Sequence, residues 1–144
     1  MILISHRGNT SGPDKKNENN PSYVEEAIKQ GFEVEIDVWY KDEQFFLGHS
    51  EPQYSVNDEF LKNKKLWCHA KSFDALQELL KIDAHCFWHE EDAYTLTSKG
   101  YVWAYPGQKI GFKTICVKPE LNKIEVKNFC GVCSDYIGNY KNKK

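Results

Sequence analysis

Short apolar runs recur along this chain of 144 residues, and each run ends in polar or charged residues. Runs of this length, bounded by glycine, proline and polar clusters, are typical of β-strands. The pattern predicts eight strands, at residues 2–5, 32–40, 45–48, 66–68, 85–88, 101–105, 114–117 and 131–133. No other feature constrains the fold as strongly, because eight strands must be joined within so short a chain.

Helical patterns separate some of these strands. An Asn-Pro-Ser segment at 20–22 favours a helix over residues 23–30, and Ser72 can cap an amphipathic helix over residues 73–80. Shorter or less regular patterns predict helical residues at 57–64, at 121–129 and within 90–98. Strands that alternate with helices favour a parallel sheet, and eight of them favour a closed barrel.

The connection lengths limit how regular such a barrel can be. A β/α barrel takes about 250 residues, so several outer helices must be missing here. Only residues 41–44 separate the second and third strands, which is too short for a parallel crossover and predicts an antiparallel ribbon. We therefore expect an α/β fold, a minimal and irregular TIM-type β/α barrel in one domain over residues 1–144, with an unstructured tail at 139–144. Its uncovered outer faces could pair two copies into a homodimer.

Composition excludes several functional classes. The formal net charge is −2 and the isoelectric point is about 6.2, so the chain lacks the basic field that suits a nucleic-acid polymer. No apolar window is long enough for a membrane span or a signal peptide, which predicts a cytoplasmic protein. The odd count of five cysteines favours reduced thiols. Cys130 and Cys133 have zinc-knuckle spacing, but no second ligand pair accompanies them, and we interpret them as part of a strand.

Polar side chains able to carry out chemistry follow the predicted strands, at the edge where a barrel would gather them. Glu35 and Asp37 lie two residues apart on one strand, so both carboxylates point to the same face. Two carboxylates held together need a positive partner, and a divalent cation is the usual one. Other strand ends carry cations, histidines and acids, namely His6 and Arg7, His49, His69 and Lys71, Lys118 and Glu120, and Asp135.

These residue types suit the cleavage of a small phosphodiester. Arg7 and Lys71 could bind the non-bridging oxygens of a phosphate. His6 and His49 have ordinary pKa values near neutral pH and could act as base and acid on opposite sides of the phosphorus. The weak net charge agrees with a small substrate held by a few local cations.

The order and spacing of these residues resemble the glycerophosphodiester phosphodiesterase family, whose members share a barrel with phosphatidylinositol-specific phospholipases. The shared motifs are His6-Arg7-Gly8, Glu18-Asn19, Glu35-Ile36-Asp37, Gly48-His49, Lys71 and Asp135. The motifs within residues 2–50 match in both order and spacing, whereas only Lys71 and Asp135 match beyond them.

The resemblance implies a role for each matched residue. It assigns the metal to Glu35 and Asp37, acid–base catalysis to His6 and His49, and phosphate contacts to Arg7 and Lys71. It further implies that Glu18 supports the site through hydrogen bonds. Asp135 and Glu120 are additional candidates for a supporting role.

His69 stands where the family usually has a third carboxylate ligand, and we predict that it binds the metal together with Glu35 and Asp37. Mg²⁺ or Ca²⁺ is the expected ion, while the softer imidazole also admits Mn²⁺ or Zn²⁺. Two alternatives stay open: a non-catalytic module that binds a phosphate headgroup or sugar phosphate, and a zinc hydrolase that uses the histidine-rich mouth. Trp103 and Tyr105 either fill the core or form a platform for a substrate headgroup or sugar.

Overall fold

The computed structural model describes residues 1–126 and 130–142. In these residues the strands are β1 (Ile2–His6), β2 (Glu33–Lys41), β3 (Gln44–Leu47), β4 (Tyr54–Val56), β5 (Leu66–Ala70), β6 (Cys86–Phe87), β7 (Tyr94–Leu96), β8 (Val102–Ala104), β9 (Thr114–Val117) and β10 (Gly131–Ser134). The α-helices are α1 (Pro21–Lys29), α2 (Asp58–Leu61) and α3 (Phe73–Lys81), and two 3₁₀ turns are η1 (Pro119–Asn122) and η2 (Ile137–Tyr140). All eight predicted strands are confirmed, including the strand interpretation of Cys133 in β10, while β4 and β7 lie outside the predicted set.

All ten strands belong to one mixed sheet. Its parallel part runs in the order β6-β5-β2-β1-β10-β9-β8, so that β1 lies between β2 and β10. β3 and β4 add antiparallel to the carboxyl-terminal half of β2, and β7 adds antiparallel to β8. The predicted ribbon is confirmed, since Lys41 pairs with Gln44 across a two-residue turn.

The prediction of a TIM-type β/α barrel is wrong. The sheet curls into a half-barrel, and helices do not alternate with strands around it. Of the residues that the structure describes, 22% are helical and 30% lie in strands. No pairing joins β6 to β8 within the described residues. The physical reason is the length of the connections. Residues 105–113 cross from β8 to β9 without a helix, and residues 90–98, where helical turns are predicted, contain β7.

Two helices back the sheet on one side only, beside β2 and β5. α1 begins where the Asn20 side chain accepts a hydrogen bond from the Ser22 backbone N–H at 3.1 Å. α3 begins where the Ser72 hydroxyl accepts a hydrogen bond from the Ala75 N–H at 3.1 Å. Both helices confirm their predictions, and their apolar stripes, including Leu79, are buried in one core cluster with the outer face of β2 and β5.

The less regular helical patterns are only partly realised. α2 forms a single turn within the predicted range 57–64. Of the predicted range 121–129, only Leu121 and Asn122 are helical, as the end of η1, and residues 127–129 lie outside the described residues.

Aromatic side chains fill the concave side of the sheet and bridge its two ends. The Trp67 ring of β5 lies 5.9 Å from the Trp103 ring of β8 and 5.1 Å from the Tyr101 ring. His85, just before β6, packs 4.1 Å from Trp67. Side-chain packing therefore joins the ends of the curled sheet where strand pairing does not.

The carboxyl-terminal turn η2 packs against β1 and β10, with Ile137 fully buried. Lys141 Nζ donates a hydrogen bond to the Gln30 carbonyl at 2.5 Å and lies over the Phe32 ring. Within the predicted tail, Asn139 and Tyr140 thus end η2 and Lys141 contacts the fold, and residues 143–144 lie outside the described part. None of the helices in residues 1–126 and 130–142 has the length and apolar character needed to cross a membrane.

Candidate active site

One cavity of about 530 Å³ opens at the carboxyl-terminal ends of the parallel strands. It gathers residues that the sequence predicted for the site, which we call the polar half of the cavity: His6, Arg7, Glu35, His49, His69 and Lys71. β1, β2 and β5 supply these side chains directly or in the residue that follows the strand, except for His49, which follows β3. The strand register explains the gathering, because His6 pairs with Glu35 and Asp37 pairs with His69.

Glu35, Asp37 and His69 form a compact cluster with the composition of a metal site. One ligand atom from each residue lies within 4.8 Å of the other two. His69 Nδ1 is 3.3 Å from Asp37 Oδ1 and 3.8 Å from Glu35 Oε1. Both carboxylates are buried, at 3% exposure for Glu35 and 0% for Asp37. Two oxygens and one imidazole nitrogen could each take one position around a divalent cation.

Each of the two carboxylates also has an oxygen without a hydrogen bond. Glu35 Oε2 and Asp37 Oδ1 are buried and have no hydrogen-bond partner among the described residues. Burial and the neighbouring Asp37 charge raise the pKa of Glu35 well above its usual range. Burial also pushes the pKa of Asp37 upward, but contacts from His49 and His69 and the charge of Arg7 outweigh it and hold that pKa well below its usual range. Buried carboxylate oxygens that lack a hydrogen-bond partner within such a cluster fit a bound cation.

The orientation of His69 supports the same assignment. His69 Nε2 lies 3.2 Å from the backbone carbonyl oxygen of His89. A carbonyl oxygen only accepts hydrogen bonds, so Nε2 carries a hydrogen, and Nδ1 is the ring nitrogen that faces the carboxylates and could bind an ion between them. The His89 ring stacks on His69 at 4.6 Å, which further fixes the ring plane. Such outer contacts are typical of metal-binding histidines.

His6 is held by a second polar network. His6 Nδ1 lies 2.6 Å from Asp135 Oδ1, so Nδ1 donates to that carboxylate and Nε2 is left facing the cavity, 3.8 Å from Glu35 Oε2. Asp135 also accepts a hydrogen bond from Asn9 Nδ2 at 2.8 Å and lies 3.2 Å from Lys118 Nζ. Burial lowers the pKa of His6, and the Asp135 hydrogen bond offsets this only in part. His6 is therefore an oriented, neutral imidazole with one free nitrogen.

Arg7 connects this network to the cluster. Arg7 Nε lies 2.9 Å from Asp37 Oδ2, and Arg7 Nη1 donates to Glu18 Oε2 at 3.3 Å. Asn9 Nδ2 donates to the other Glu18 oxygen at 2.9 Å. Asn19 Nδ2 donates to Asp37 Oδ2 at 2.9 Å, and its side-chain oxygen accepts from the Asp37 N–H at 2.9 Å. Glu18 thus accepts hydrogen bonds from both Arg7 and Asn9, and the motif resemblance predicts a supporting role for it.

The chain turns sharply after His6 to make these contacts. Arg7 has φ of 57° and Gly8 has φ of 94°. A Cβ atom on Gly8 would lie 2.5 Å from a ring carbon of Tyr23, so a larger residue would displace that ring. The glycine after Arg7 is therefore required by both backbone conformation and space.

His49 and Lys71 complete the mouth from the other side. His49 Nδ1 lies 3.5 Å from Asp37 Oδ2, and the side chain is half exposed, unlike that of His6. Lys71 Nζ lies 3.8 Å from Asp37 Oδ1. Gly48 precedes His49 with φ of 157°, where a Cβ atom would lie 2.0 Å from the Glu51 carbonyl oxygen. Of the two histidines predicted for acid–base catalysis, His6 is therefore buried and His49 is accessible to solvent.

Four predicted site residues do not themselves line the cavity, namely Glu18, Asp37, Asp135 and Glu120. The first three contact His6 or Arg7, which do line it, whereas Glu120 has no such contact among the described residues. Its carboxylate oxygens are buried without a hydrogen-bond partner among the described residues. Burial, with a contribution from the Glu120 charge, raises the pKa of Cys116 to about 11, and the same charge adds to the effect of burial on the pKa of Tyr140. Glu120 thus acts on groups outside the cavity.

Four further residues of the site were not assigned a role from sequence. Asn9 and Asn19 are fully buried: Asn9 donates hydrogen bonds to Asp135 and Glu18, and Asn19 donates one to Asp37. Lys118 contacts Asp135, and His89 orients His69. The sequence signal that could have identified the two asparagines is their position: Asn9 directly follows His6-Arg7-Gly8, and Asn19 belongs to the Glu18-Asn19 motif. Comparison of the chain with protein-family models, curated proteins and solved structures gives no match.

Proposed function

We propose that this protein is a metal-dependent phosphodiesterase that hydrolyses a glycerophosphodiester-like substrate to a phosphomonoester and an alcohol. The observation that carries the proposal is the buried Glu35–Asp37–His69 cluster with orphaned oxygens, flanked within one cavity by two histidines and two cations. The motif resemblance to glycerophosphodiester phosphodiesterases supports the same reaction. A pure binding site would need the cations but not an oriented pair of histidines.

Glu35, Asp37 and His69 would hold the divalent ion. Mg²⁺ or Ca²⁺ is favoured by the two carboxylates, and the imidazole of His69 would shift the preference toward Mn²⁺ or Zn²⁺. When bound, such an ion polarises a phosphate oxygen and stabilises negative charge that develops in the transition state. Lys71 and Arg7 would bind the remaining non-bridging oxygens, and Arg7 is already fixed in place by Glu18 and Asp37.

The two histidines differ in a way that suggests their roles. His6 Nε2, which carries the lone pair of the neutral ring because Nδ1 donates its hydrogen to Asp135, would accept the proton of the attacking hydroxyl. That hydroxyl belongs either to water or to the substrate's own alcohol, and in the second case a cyclic phosphodiester forms first and water then opens it. His49, which is half exposed, would donate a proton to the leaving alkoxide and regain one from solvent. The bond to the leaving oxygen breaks as the bond to the attacking oxygen forms.

The test measures alcohol and phosphomonoester release from a panel of glycerophosphodiesters and an activated aryl phosphodiester. The metal-free protein is assayed alone and with Mg²⁺, Ca²⁺, Mn²⁺ or Zn²⁺. We expect metal-dependent release, and we expect His6→Ala and His49→Ala each to lower kcat by about 10²- to 10⁴-fold. His85→Ala is the matched control, because His85 lies outside this cavity.

Metal binding is measured separately by calorimetry. Asp37→Asn should abolish Mn²⁺ binding, whereas Asp83→Asn, at an exposed carboxylate paired with Lys99, should not change it. If the protein binds metal or phosphate but no diester turns over with any ion, the reaction is refuted and the phosphate-binding module becomes the better description. Release that survives both histidine substitutions would refute the assigned acid–base pair.

A further inference from the structure

The cavity has a second half whose chemistry the proposed reaction does not use. We call it the apolar half, and it is lined by Trp88, Trp103, Tyr105, Pro106, Val117 and Leu121. These residues come from β8 and β9, from the segments that follow β6 and β8, and from η1. Glu90 and Lys118 are the charged residues that border this half among the described residues, and Lys118 is engaged by Asp135.

Burial changes along the apolar half from the inside outward. Trp103 and Val117 are only 5% and 8% exposed and form an inner wall beside the polar half. Tyr105 and Leu121 are 52% and 66% exposed and form the outer rim. Exposure therefore rises from Trp103 and Val117 to Tyr105 and Leu121, so the apolar half includes both a buried wall and a rim open to solvent.

This surface is a poor match for an alcohol rich in hydroxyl groups. Val117, Pro106 and Leu121 have no side-chain hydrogen-bonding group, and each aromatic ring of this half offers only one polar atom. Most hydroxyls placed along this surface would therefore lose their water partners without replacement. A hydrocarbon chain placed there would instead remove both its own surface and that of the wall from water.

We infer that the substrate is an amphiphilic phosphodiester, with a hydrocarbon chain on one of its two alcohols that lies along the apolar half. The inference rests on the proposed function for the identity of the phosphate-binding end, and it specifies the substrate class that the same cavity accepts. The hydrocarbon chain of the substrate extends from the phosphate past Trp103 and Val117 and reaches solvent across Tyr105 and Leu121. Its contacts with the wall contribute binding, while the chemistry stays in the polar half.

The first experiment compares glycerophosphodiesters of one headgroup that are unacylated or carry acyl chains of two to eight carbons, all below their critical micelle concentrations. We expect kcat/KM to rise with each methylene, by at most about fourfold for a fully buried one. In parallel, methyl, hexyl and octyl phosphate are titrated into the metal-free protein, with the total tryptophan fluorescence as the readout, since Trp88 and Trp103 line the apolar half. Octyl phosphate should bind at least tenfold more tightly than methyl phosphate.

The second experiment places a charge on the rim. Leu121→Asp should reduce the rise per methylene in both kcat/KM and alkyl phosphate affinity, because the hydrocarbon chain of the ligand would then lie against a carboxylate. Phe112→Asp is the matched control: Phe112 is 91% exposed and apolar but does not line the cavity, so the chain-length dependence should be unchanged.

The outcomes separate this inference from the proposed reaction. Turnover of diesters without any dependence on chain length, together with equal affinity for methyl and octyl phosphate, would overturn the inference and leave the phosphodiesterase intact. Equal effects of Leu121→Asp and Phe112→Asp would also overturn it. Chain-dependent binding of the alkyl phosphates without turnover would support the apolar half as a chain site and refute the reaction. Neither binding nor turnover would overturn both.

Discussion

The polar and apolar halves of the cavity are built on differently supported parts of the same sheet. The polar half stands on β1, β2 and β5, and α1 and α3 bury the outer face of β2 and β5. The apolar half stands on β8 and β9, which are three and four residues long and are joined by a crossover without a helix. The difference lies in what holds the strands: two packed layers in one case, and connecting loops with aromatic contacts in the other.

This difference agrees with what each half has to do. Acid–base chemistry requires side chains held within a fraction of an ångström, and Asp37, His6 and Arg7 each have two or more polar contacts on rigid strands. An apolar wall needs only shape and exclusion of water, so loops can provide it. Precision is therefore concentrated where the helices support the sheet.

The largest expected effect on this comparison comes from losing the orientation of the His6 ring in the polar half. Asp135→Asn should lower kcat on the order of 10³-fold with little change in KM, because an amide can donate to His6 Nδ1 and so favour the wrong tautomer. Steady-state kinetics on the best diester would measure it, with Asp83→Asn as control. The double variant Asp135→Asn/His6→Ala should have a kcat only slightly lower than that of His6→Ala alone. Fully additive losses would show that Asp135 does not act through His6.

Sequence reasoning could predict the strands and the polar half for the same physical reason. Residues two apart on a strand share a face, so Glu35 and Asp37 could be placed together from the sequence. His69 joins them because β5 pairs with β2, which the motif resemblance implied and the strand pattern alone did not. The caps at Asn20 and Ser72 likewise specify local hydrogen bonds that need no tertiary information.

The errors arise where distant pairing decides the structure. β7 is a three-residue strand that exists through its pairing with β8, so its own residues carry little signal. Closure of a barrel depends on whether β6 meets β8, which no local pattern encodes. Lys118 has φ of 46°, a left-handed conformation at the end of β9 that the sequence pattern does not indicate, and Glu120 follows it without lining the cavity. Side chains of Asn9 and Asn19 find their partners only after Arg7 and Asn19 adopt left-handed conformations.

A smaller effect should distinguish the support under the two halves. Leu79 of α3 is fully buried in the core cluster beneath β2 and β5, so Leu79→Ala should destabilise the protein by about 3 kcal/mol. Leu121→Ala at the rim of the apolar half removes a side chain that is already 66% exposed, and it should change the unfolding free energy by less than about 0.5 kcal/mol. Urea unfolding of both variants measures the difference. Similar destabilisation would contradict the assignment of stability to the helix-backed part.

The smallest effect concerns the aromatic seam, the ring contacts of His85 with Trp67 and Tyr101 that join the helix-backed strands to the strands of the apolar half. Burial, with a smaller contribution from Lys99, lowers the pKa of His85 to about 4 from an ordinary value of 6.5. The unfolded chain therefore binds more protons at this residue between pH 6.5 and pH 4, and stability is lost as the pH falls through that window. Because the ring is partly exposed, we expect a loss on the order of 1 kcal/mol.

His85→Gln tests this seam, because glutamine does not titrate and can still bond to Thr97. Urea unfolding of both proteins is measured at pH 7.5, 6.5, 5.5 and 4.5. The variant should be the less stable protein at pH 7.5, since it loses the ring contacts with Trp67. The gap should then narrow toward pH 4.5, because only the wild type retains the unfavourable proton linkage. Parallel stability curves would mean that His85 titrates normally and that the aromatic seam is open to water, which would weaken the view that side-chain packing joins the two parts.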